Sequence, residues 1–380
     1  MVDVDAQMAG TNLAGLRDRN TALLMGLLRS APRGGSRVEL AAATGLTPQG
    51  VSKIIARLIS DGVVEESGRG TSTGGKPRTL LRLRPDAAYA VGLAIDRGET
   101  TVVLGDLAGG VRQQVTYPVG LASAQPDRVV ELLATEVRAA IATAPRGSRV
   151  LGVGVGCRGP LDYASGFLHR PAGLAPWDRF PLRDALAARL DGLPVHLDKD
   201  TNAAALTLAG SRSAAYLHFA DGVGAGLLLG GAIYRGERTK AGEFGHQVLQ
   251  LDGPECTCGQ RGCLEALCLA ALADGDHHTA ARLLGVGAAN LVRLLDIERI
   301  ALGGGVVFAE PELYQREVAA QLVARLPEPD WQHVAVELAS TGPPSIAIGA
   351  LELVLGPLFG DLSWGPPRMR YGPGGSVTGP

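Results

Sequence analysis

The sequence predicts an α/β protein of two lobes around a cleft, preceded by a winged helix-turn-helix. Three observations carry that reading. Short helices and a basic hairpin fill the chain before Tyr89. From there, strands and helices alternate in two similar rounds. With 380 residues, 46% of them hydrophobic and 53 of them glycine, the chain is too long for one small core and rich in tight turns.

Residues 20–29 put Leu23, Leu24, Leu27 and Leu28 on one stripe, the spacing of an amphipathic helix. A second, short helix covers 38–44 and stops at Gly45. Thr47 can cap a third, with Pro48 at its first position. That helix runs through Val51, Ile54, Ile55, Leu58 and Ile59 and ends near Asp61-Gly62. Helix, glycine turn, helix is a DNA-reading pattern. Its second helix exposes Gln49, Ser52, Lys53 and Arg57, short or basic groups suited to base edges and phosphates. Residues 63–66 and 79–83 then read as a hairpin, and the loop between them carries no acidic residue. In this wing Arg69, Lys76 and Arg78 could reach phosphates or a narrow minor groove. The competing reading is a small helical bundle for protein contacts. Net charge is −2, from 36 basic and 38 acidic residues, so no global field favours nucleic acid and any such activity is local.

The first α/β round has apolar strands at 91–95 and 101–107, a helix at 127–143, a buried strand at 150–156, a helix at 182–190 and a strand at 195–198. Asp200-Thr201-Asn202 opens an Ala-rich helix. The second round begins with 216–219 and 224–229, and a strand at 299–302 runs into Gly303-Gly304-Gly305. Two such rounds imply two lobes with a cleft between them.

The densest chemistry lies at Cys256-Thr257-Cys258-Gly259-Gln260-Arg261-Gly262-Cys263, with His246 just upstream. Three thiolates and an imidazole are the donor set of a closed tetrahedral zinc site. Gly259 and Gly262 would let so short a loop fold back on a metal. Structural Zn2+ is therefore the expected cofactor, held by His246, Cys256, Cys258 and Cys263. Glu243 and Glu265 flank this set, so the metal would fix two hydrogen-bond acceptors for a polar small molecule. The alternative is three unrelated buried cysteines. The other two of the five cysteines, Cys157 and Cys268, sit in apolar surroundings. Few cysteines, no run of ~20 apolar residues and an acidic start, Met1-Val2-Asp3-Val4-Asp5, lead to the expectation of a cytoplasmic protein with no membrane partner.

From about residue 18 to about 360 the chain resembles the ROK family, which groups sugar-responsive repressors, open reading frames and sugar kinases. The metal segment is the most specific match. Also matching are Ala241-Gly242-Glu243-Phe244-Gly245-His246, Leu197-Asp198-Lys199-Asp200-Thr201-Asn202, Arg158-Gly159-Pro160, Trp177 with the Pro171 loop before it, and Gly303-Gly304-Gly305. The resemblance implies an actin-like ATPase fold of the sugar-kinase type over 88–360, with lobes at about 88–200 and 201–360. It also implies a winged helix-turn-helix over 18–85, and 361–380 is expected to be a disordered tail. It implies that Asp200 occupies the catalytic-base position and that Asp200, Glu243, His246 and Glu265 bind sugar. A helix N-cap is the other role open to Asp200. One nitrogen of His246 could hold the metal while the other meets a sugar hydroxyl.

Departures fall on the phosphate side. Where family kinases carry Asp-x-Gly-Gly-Thr, one register puts Ala94 at the Asp and Asp96-Arg97-Gly98 at Gly-Gly-Thr; the other puts Glu99 at the second glycine. The second loop, Gly-Thr-Gly in the family, reads Ala220-Asp221-Gly222, and Asp221 would turn a negative charge toward a nucleotide. Side chains and carboxylates in loops that must bring N–H groups to phosphate imply that kinase activity is lost. Lys199 and Arg238 are also unusual. They suit an acidic or phosphorylated sugar, or they are solvated surface charges. The stretch 263–290 is shorter than the family pattern. The expectation is a DNA-binding repressor, dimeric or a dimer of dimers, that meets a double-stranded operator and responds to a sugar or sugar derivative. An ATP-dependent sugar kinase is the alternative.

Overall fold

The computed structural model describes residues 13–31, 33–69, 78–171, 173–208, 210–326 and 333–360. Lys76 of the wing and the 361–380 segment lie outside the described residues.

The N-terminal region is α1 (Leu13–Arg29), β1 (Gly35–Ser36), α2 (Arg37–Thr44), α3 (Pro48–Ser60), β2 (Val64–Arg69) and β3 (Thr79–Leu83). Its three strands form an antiparallel sheet in the order β1-β3-β2. α2 opens in a reciprocal cap. Glu39 N–H donates to Ser36 Oγ at 3.3 Å while Ser36 N–H donates to the Glu39 carboxylate at 2.8 Å. Gly45 ends that helix at φ 69°, a left-handed conformation that glycine adopts without strain. At α3, Gly50 N–H donates to Thr47 Oγ1 at 3.2 Å and Pro48 sits in the first turn, as the sequence led us to expect. Val51, Ile55 and Leu58 are buried with Leu24, Leu28 and Leu40. Burying that stripe turns Gln49, Ser52, Lys53 and Arg57 to the exposed side.

The first α/β round comprises β4 (Tyr89–Ile95), β5 (Thr100–Asp106), β6 (Val111–Tyr117), α4 (Pro126–Ala142), β7 (Val150–Cys157), the hairpin β8 (Leu161–Asp162) and β9 (Phe167–Leu168), α5 (Leu182–Arg189), β10 (Val195–Lys199) and α6 (Asp200–Ala205). Its sheet runs β10-β7-β4-β5-β6, with β10, β7 and β4 parallel. The second round comprises β11 (Ser213–Phe219), β12 (Val223–Leu229), β13 (Ala232–Ile233), α7 (Leu264–Ala273), α8 (His277–Leu295), β14 (Arg299–Gly303), α9 (Gly305–Ala309), α10 (Pro311–Arg325) and β15 (Ala335–Leu338). Its sheet runs β13-β12-β11-β14-β15. Each sheet opens with an antiparallel hairpin, β4-β5 in the first and β11-β12 in the second. α7 and α8 fill the shortened stretch, and Leu264, Ala280 and Leu284 pack there with Val318 of α10.

The last helix, α11 (Ser345–Leu355), departs from the expected division. A second lobe running unbroken over 201–360 is not what the chain forms, because α11 returns to the first sheet. The reason is a glycine-lined trough. A Cβ at Gly92 of β4 would sit 2.0 Å from the Ala347 carbonyl oxygen, and one at Gly154 of β7 would sit 1.8 Å from that of Ala350. Only glycine lets the helix backbone come so close. The far end of α11 meets the N-terminal region. Leu351, Leu355 and Phe359 share one buried cluster with Leu24, Leu28 and Val51. Arg29 seals this joint, donating through Nη1 to Glu352 Oε2 at 2.8 Å and through Nε to the Ala108 carbonyl at 3.0 Å, with its guanidinium 4.5 Å above the Phe359 ring.

Candidate functional site

A cleft of about 600 Å³ opens between the two sheets, lined on one side by Asp200 and the ends of β4 and β7, and on the other by Glu243, His246 and Glu265. Asp200 gets its position from Asp198, the residue two before it. The fully buried Asp198 carboxylate accepts from Lys199 N–H at 2.7 Å, from Asn202 Nδ2 at 2.9 Å and from Arg235 at 2.8 Å. These bonds lock the turn from β10 into α6. Asp200 Oδ1 accepts from Thr201 N–H at 2.6 Å. Lys199, not Asp200, stands at the N-cap, so the cap role open from the sequence is not taken. Burial raises the Asp200 carboxyl above its ordinary value, opposed by nearby His218 and Lys199, the Thr201 N–H and Arg158. Burial likewise pushes the imidazole of His218 down. Its Nδ1 is buried without a hydrogen-bond partner. His218 belongs to no motif in the sequence. Its alternation in β11 beside Phe219-Ala220-Asp221 was the available signal.

Lys199 corrects another expectation. It is 5% exposed, and its Nζ donates to the Ala241 carbonyl at 2.6 Å and lies 3.5 Å from the Glu243 carboxylate. A solvated surface charge is therefore excluded here, because the side chain crosses the cleft floor to the Ala241–Glu243 segment. Arg238 is exposed.

Glu243 and His246 come from one short turn, and the Glu243 carboxylate lies 3.9 Å from His246 Nε2. Gly242 makes that turn possible: at φ 82°, a Cβ there would sit 2.0 Å from the Ala225 carbonyl oxygen. Glu265, in the first turn of α7, accepts from Val223 N–H at 2.8 Å. The fold thus brings Asp200, Glu243, His246 and Glu265 to one cleft.

Behind the cleft, one donor atom each from His246, Cys256, Cys258 and Cys263 lies within 4.8 Å of the others, a cluster that could hold a metal ion. Cys256 Sγ is 3.5 Å from His246 Nδ1, and Cys258 Sγ is 3.6 Å from Cys263 Sγ. Nδ1 therefore faces the sulfurs and Nε2 is left on the Glu243 side. The glycine reading of this loop fits its backbone: Gly259 has φ 87° and Gly262 φ 68°, and a Cβ at Gly262 would sit 1.5 Å from the Gln250 carbonyl oxygen.

At the β11-β12 turn beside Glu265, Asp221 is not the bare charge the sequence suggested. Arg158 Nη1 donates to its Oδ2 at 2.5 Å and lies 3.5 Å from Asp96 Oδ1. Burial disfavours the charge of Arg158, but Asp221, Asp96 and Asp200 outweigh it and raise the value.

In the N-terminal region, Gln49, Ser52 and Lys53 are exposed on α3, while exposed Arg57 donates to Thr21 Oγ1 at 2.7 Å. Arg78 lies 3.7 Å from Glu39. Arg69 ends β2, and its side chain is outside what is described. Among the described residues, no helix is long and apolar enough to cross a membrane.

The chain matches the ROK family over residues 91–274 and a winged helix-turn-helix DNA-binding family over residues 18–65. It is 28% identical over 251 residues to the xylose repressor of Bacillus subtilis (strain 168), covering 64% of this chain and 63% of that protein. It superimposes on a ROK family transcriptional regulator described as a homolog of the E. coli MLC protein with a TM-score of 0.71 at 21% identity, covering 92% of this chain and all (100%) of that one. With the ROK hexokinase of Thermus thermophilus the TM-score is 0.59 and the identity 31%, over 70% of this chain and 97% of that one. A hexokinase this similar over nearly its whole length, together with a family match that takes in Asp200, Glu243, Glu265 and the thiol cluster, means that the chain belongs to the ROK family.

Proposed function

We propose that this chain is a DNA-binding transcriptional repressor whose kinase-type cleft senses a sugar or sugar derivative and no longer transfers phosphate. The observation that carries this reading is the joint at α11. One buried cluster unites the DNA-reading helices with a helix laid on the cleft's first sheet. A sensor needs that continuity and a kinase does not. The working units are residues 18–85 as the DNA-binding part and 88–360 as the sensing part, with α11 counted in the first lobe. In the first unit Gln49, Ser52, Lys53, Arg57, Arg69, Lys76 and Arg78 meet the operator. In the second Asp200, Glu243, His246 and Glu265 hold sugar hydroxyls, and four carboxylate or imidazole acceptors suit a polyol. A symmetric operator calls for a homodimer or a dimer of dimers, because one recognition helix spans a half-site. The compartment is the cytoplasm, where DNA and effector meet.

The cluster of His246, Cys256, Cys258 and Cys263 suits zinc. Arms of about 2.3 Å to sulfur and about 2.0 Å to nitrogen give tetrahedral edges close to the 3.6 Å and 3.5 Å separations found here. Bound zinc would supply a structural cross-link. These residues then fix the His246 ring, so that Nε2 can meet a sugar hydroxyl. Metal analysis should give about one zinc per chain. Cys258→Ser is expected to lose the metal and lower the unfolding midpoint.

Fluorescence-anisotropy titration of the full chain with DNA upstream of its own gene, with and without a panel of pentoses, hexoses and amino sugars, tests the whole reading. The expected outcome is tight binding that one sugar changes at least tenfold, since an effector acts only through different affinities for two states. No DNA binding at low salt would sink it. The half-buried Asp200 on the cleft wall favours the second reading, a sugar kinase. Sugar-dependent ADP release that Asp200→Asn abolishes would establish that instead.

A further inference from the structure

We propose that Arg158, held between Asp96 and Asp221, is an internal counter-ion that closes the hairpin end of the cleft to anions, so that the effector is an unphosphorylated sugar and neither ATP nor a sugar phosphate enters. This deepens the sugar-sensor reading above and rests on it for the nature of the ligand.

Asp96 follows the first-lobe strand β4, Arg158 follows β7, and Asp221 tips the β11-β12 turn of the second lobe. The guanidinium thus bridges the lobes, 2.5 Å from one carboxylate and 3.5 Å from the other. It is the cation an incoming phosphate would seek, and it is already paired with Asp221 and lies beside Asp96.

Three backbone donors at these turns are engaged within the protein. Arg97 N–H donates to Asp96 Oδ1 at 2.7 Å, Val223 N–H to Glu265 Oε2 at 2.8 Å, and Ala220 N–H to the Gly222 carbonyl at 3.0 Å. An anion nest needs such N–H groups turned to the ligand. Gly222 fits this closed arrangement, since a Cβ there would sit 3.0 Å from both Arg158 Nη2 and Glu265 Oε2. Six carboxylates line the cleft (Asp96, Glu99, Asp200, Asp221, Glu243 and Glu265) against three permanent cations, Arg158, Arg170 and Lys199. Lys199 is engaged with Ala241 and Glu243. An arriving phosphate therefore meets an excess of carboxylates and, at Arg158 and Lys199, cations already engaged, whereas a neutral polyol finds acceptors.

Isothermal titration of the full chain with inorganic pyrophosphate tests this. The wild type is expected to give no measurable binding. Asp96→Asn with Asp221→Asn should gain affinity by about tenfold or more, since it frees Arg158 and removes two repelling charges. Adding Arg158→Gln should abolish the gain. If the double variant does not fold, as judged by its melting curve, Asp221→Asn alone should give a smaller gain in the same direction. Wild-type binding as tight as the variant's, a folded variant with no gain, or a gain that survives Arg158→Gln would each overturn the proposal. A thermal-shift panel of neutral sugars on the wild type separates the two readings. If none stabilises it while the variant gains pyrophosphate, the counter-ion stands and the sugar sensor falls.

Discussion

Asp200 stands on the cleft wall at a cost in stability. Burial raises its folded-state value above the 3.8 of an ordinary aspartate. Between the unfolded and folded values the native protein holds the extra proton, so stability falls as pH rises through that window, and above it the ionised form is a standing penalty. Asp200→Asn is therefore expected to raise the unfolding midpoint at neutral pH. The gain should fade as pH drops below 3.8, where both states are protonated. Melting curves across pH would check this, and a lower midpoint at neutral pH would contradict it. The residue scale also separates what the chain spells from what it hides. The thiol cluster was legible because its three sulfurs lie within eight positions, Cys256 to Cys263, with His246 ten residues upstream of the first. The Arg158–Asp221 pair was not, because 63 residues separate its partners. Lys199 stayed open between two readings for a related reason, since only the path of the 241–243 segment decides that it is buried.

At the scale of elements, α3 and α11 divide in the same way. The caps of α3 and its buried stripe are local, so its exposed face followed from the sequence. Lys53→Ala, on that face, is expected to weaken binding to all DNA sequences alike and to lower the salt slope by about 1, as loss of one phosphate contact does. Anisotropy titrations at several salt concentrations would measure it, and an unchanged slope would count against Lys53 at the backbone. α11 depends instead on a surface made elsewhere. Gly154→Ala would force a methyl against the Ala350 carbonyl and is expected to cost about 1–3 kcal/mol, read by denaturant unfolding. Where β7 was read as a buried strand, its glycines gave no hint of which element would cross them.

For the whole molecule, the joint between DNA-reading region and α/β body is a packed interface and not a tether. The Arg29–Glu352 pair is mostly buried, with side-chain exposures of 20% and 15%. Glu352→Ala leaves a guanidinium with its carbonyl and ring contacts but no counter-ion. It is expected to cost about 1–3 kcal/mol. The melting curve should then separate into two transitions as the N-terminal region uncouples from the body. A single transition at the wild-type midpoint would argue that the joint carries no stability.

By itself the sequence indicated the recognition helix, the leading strands of both α/β rounds and the His246, Cys256, Cys258 and Cys263 set that could hold a metal. Each of these is written in periodicity, caps and spacing over a few turns of chain. Only the tertiary structure decided which lobe receives α11, that Lys199 is buried, and that Arg158 binds two carboxylates across the cleft. Those outcomes join residues far apart in the chain. What fixes them is the close approach of backbones over glycine and the neutralisation of charge in a confined space, and neither has a signature in local pattern.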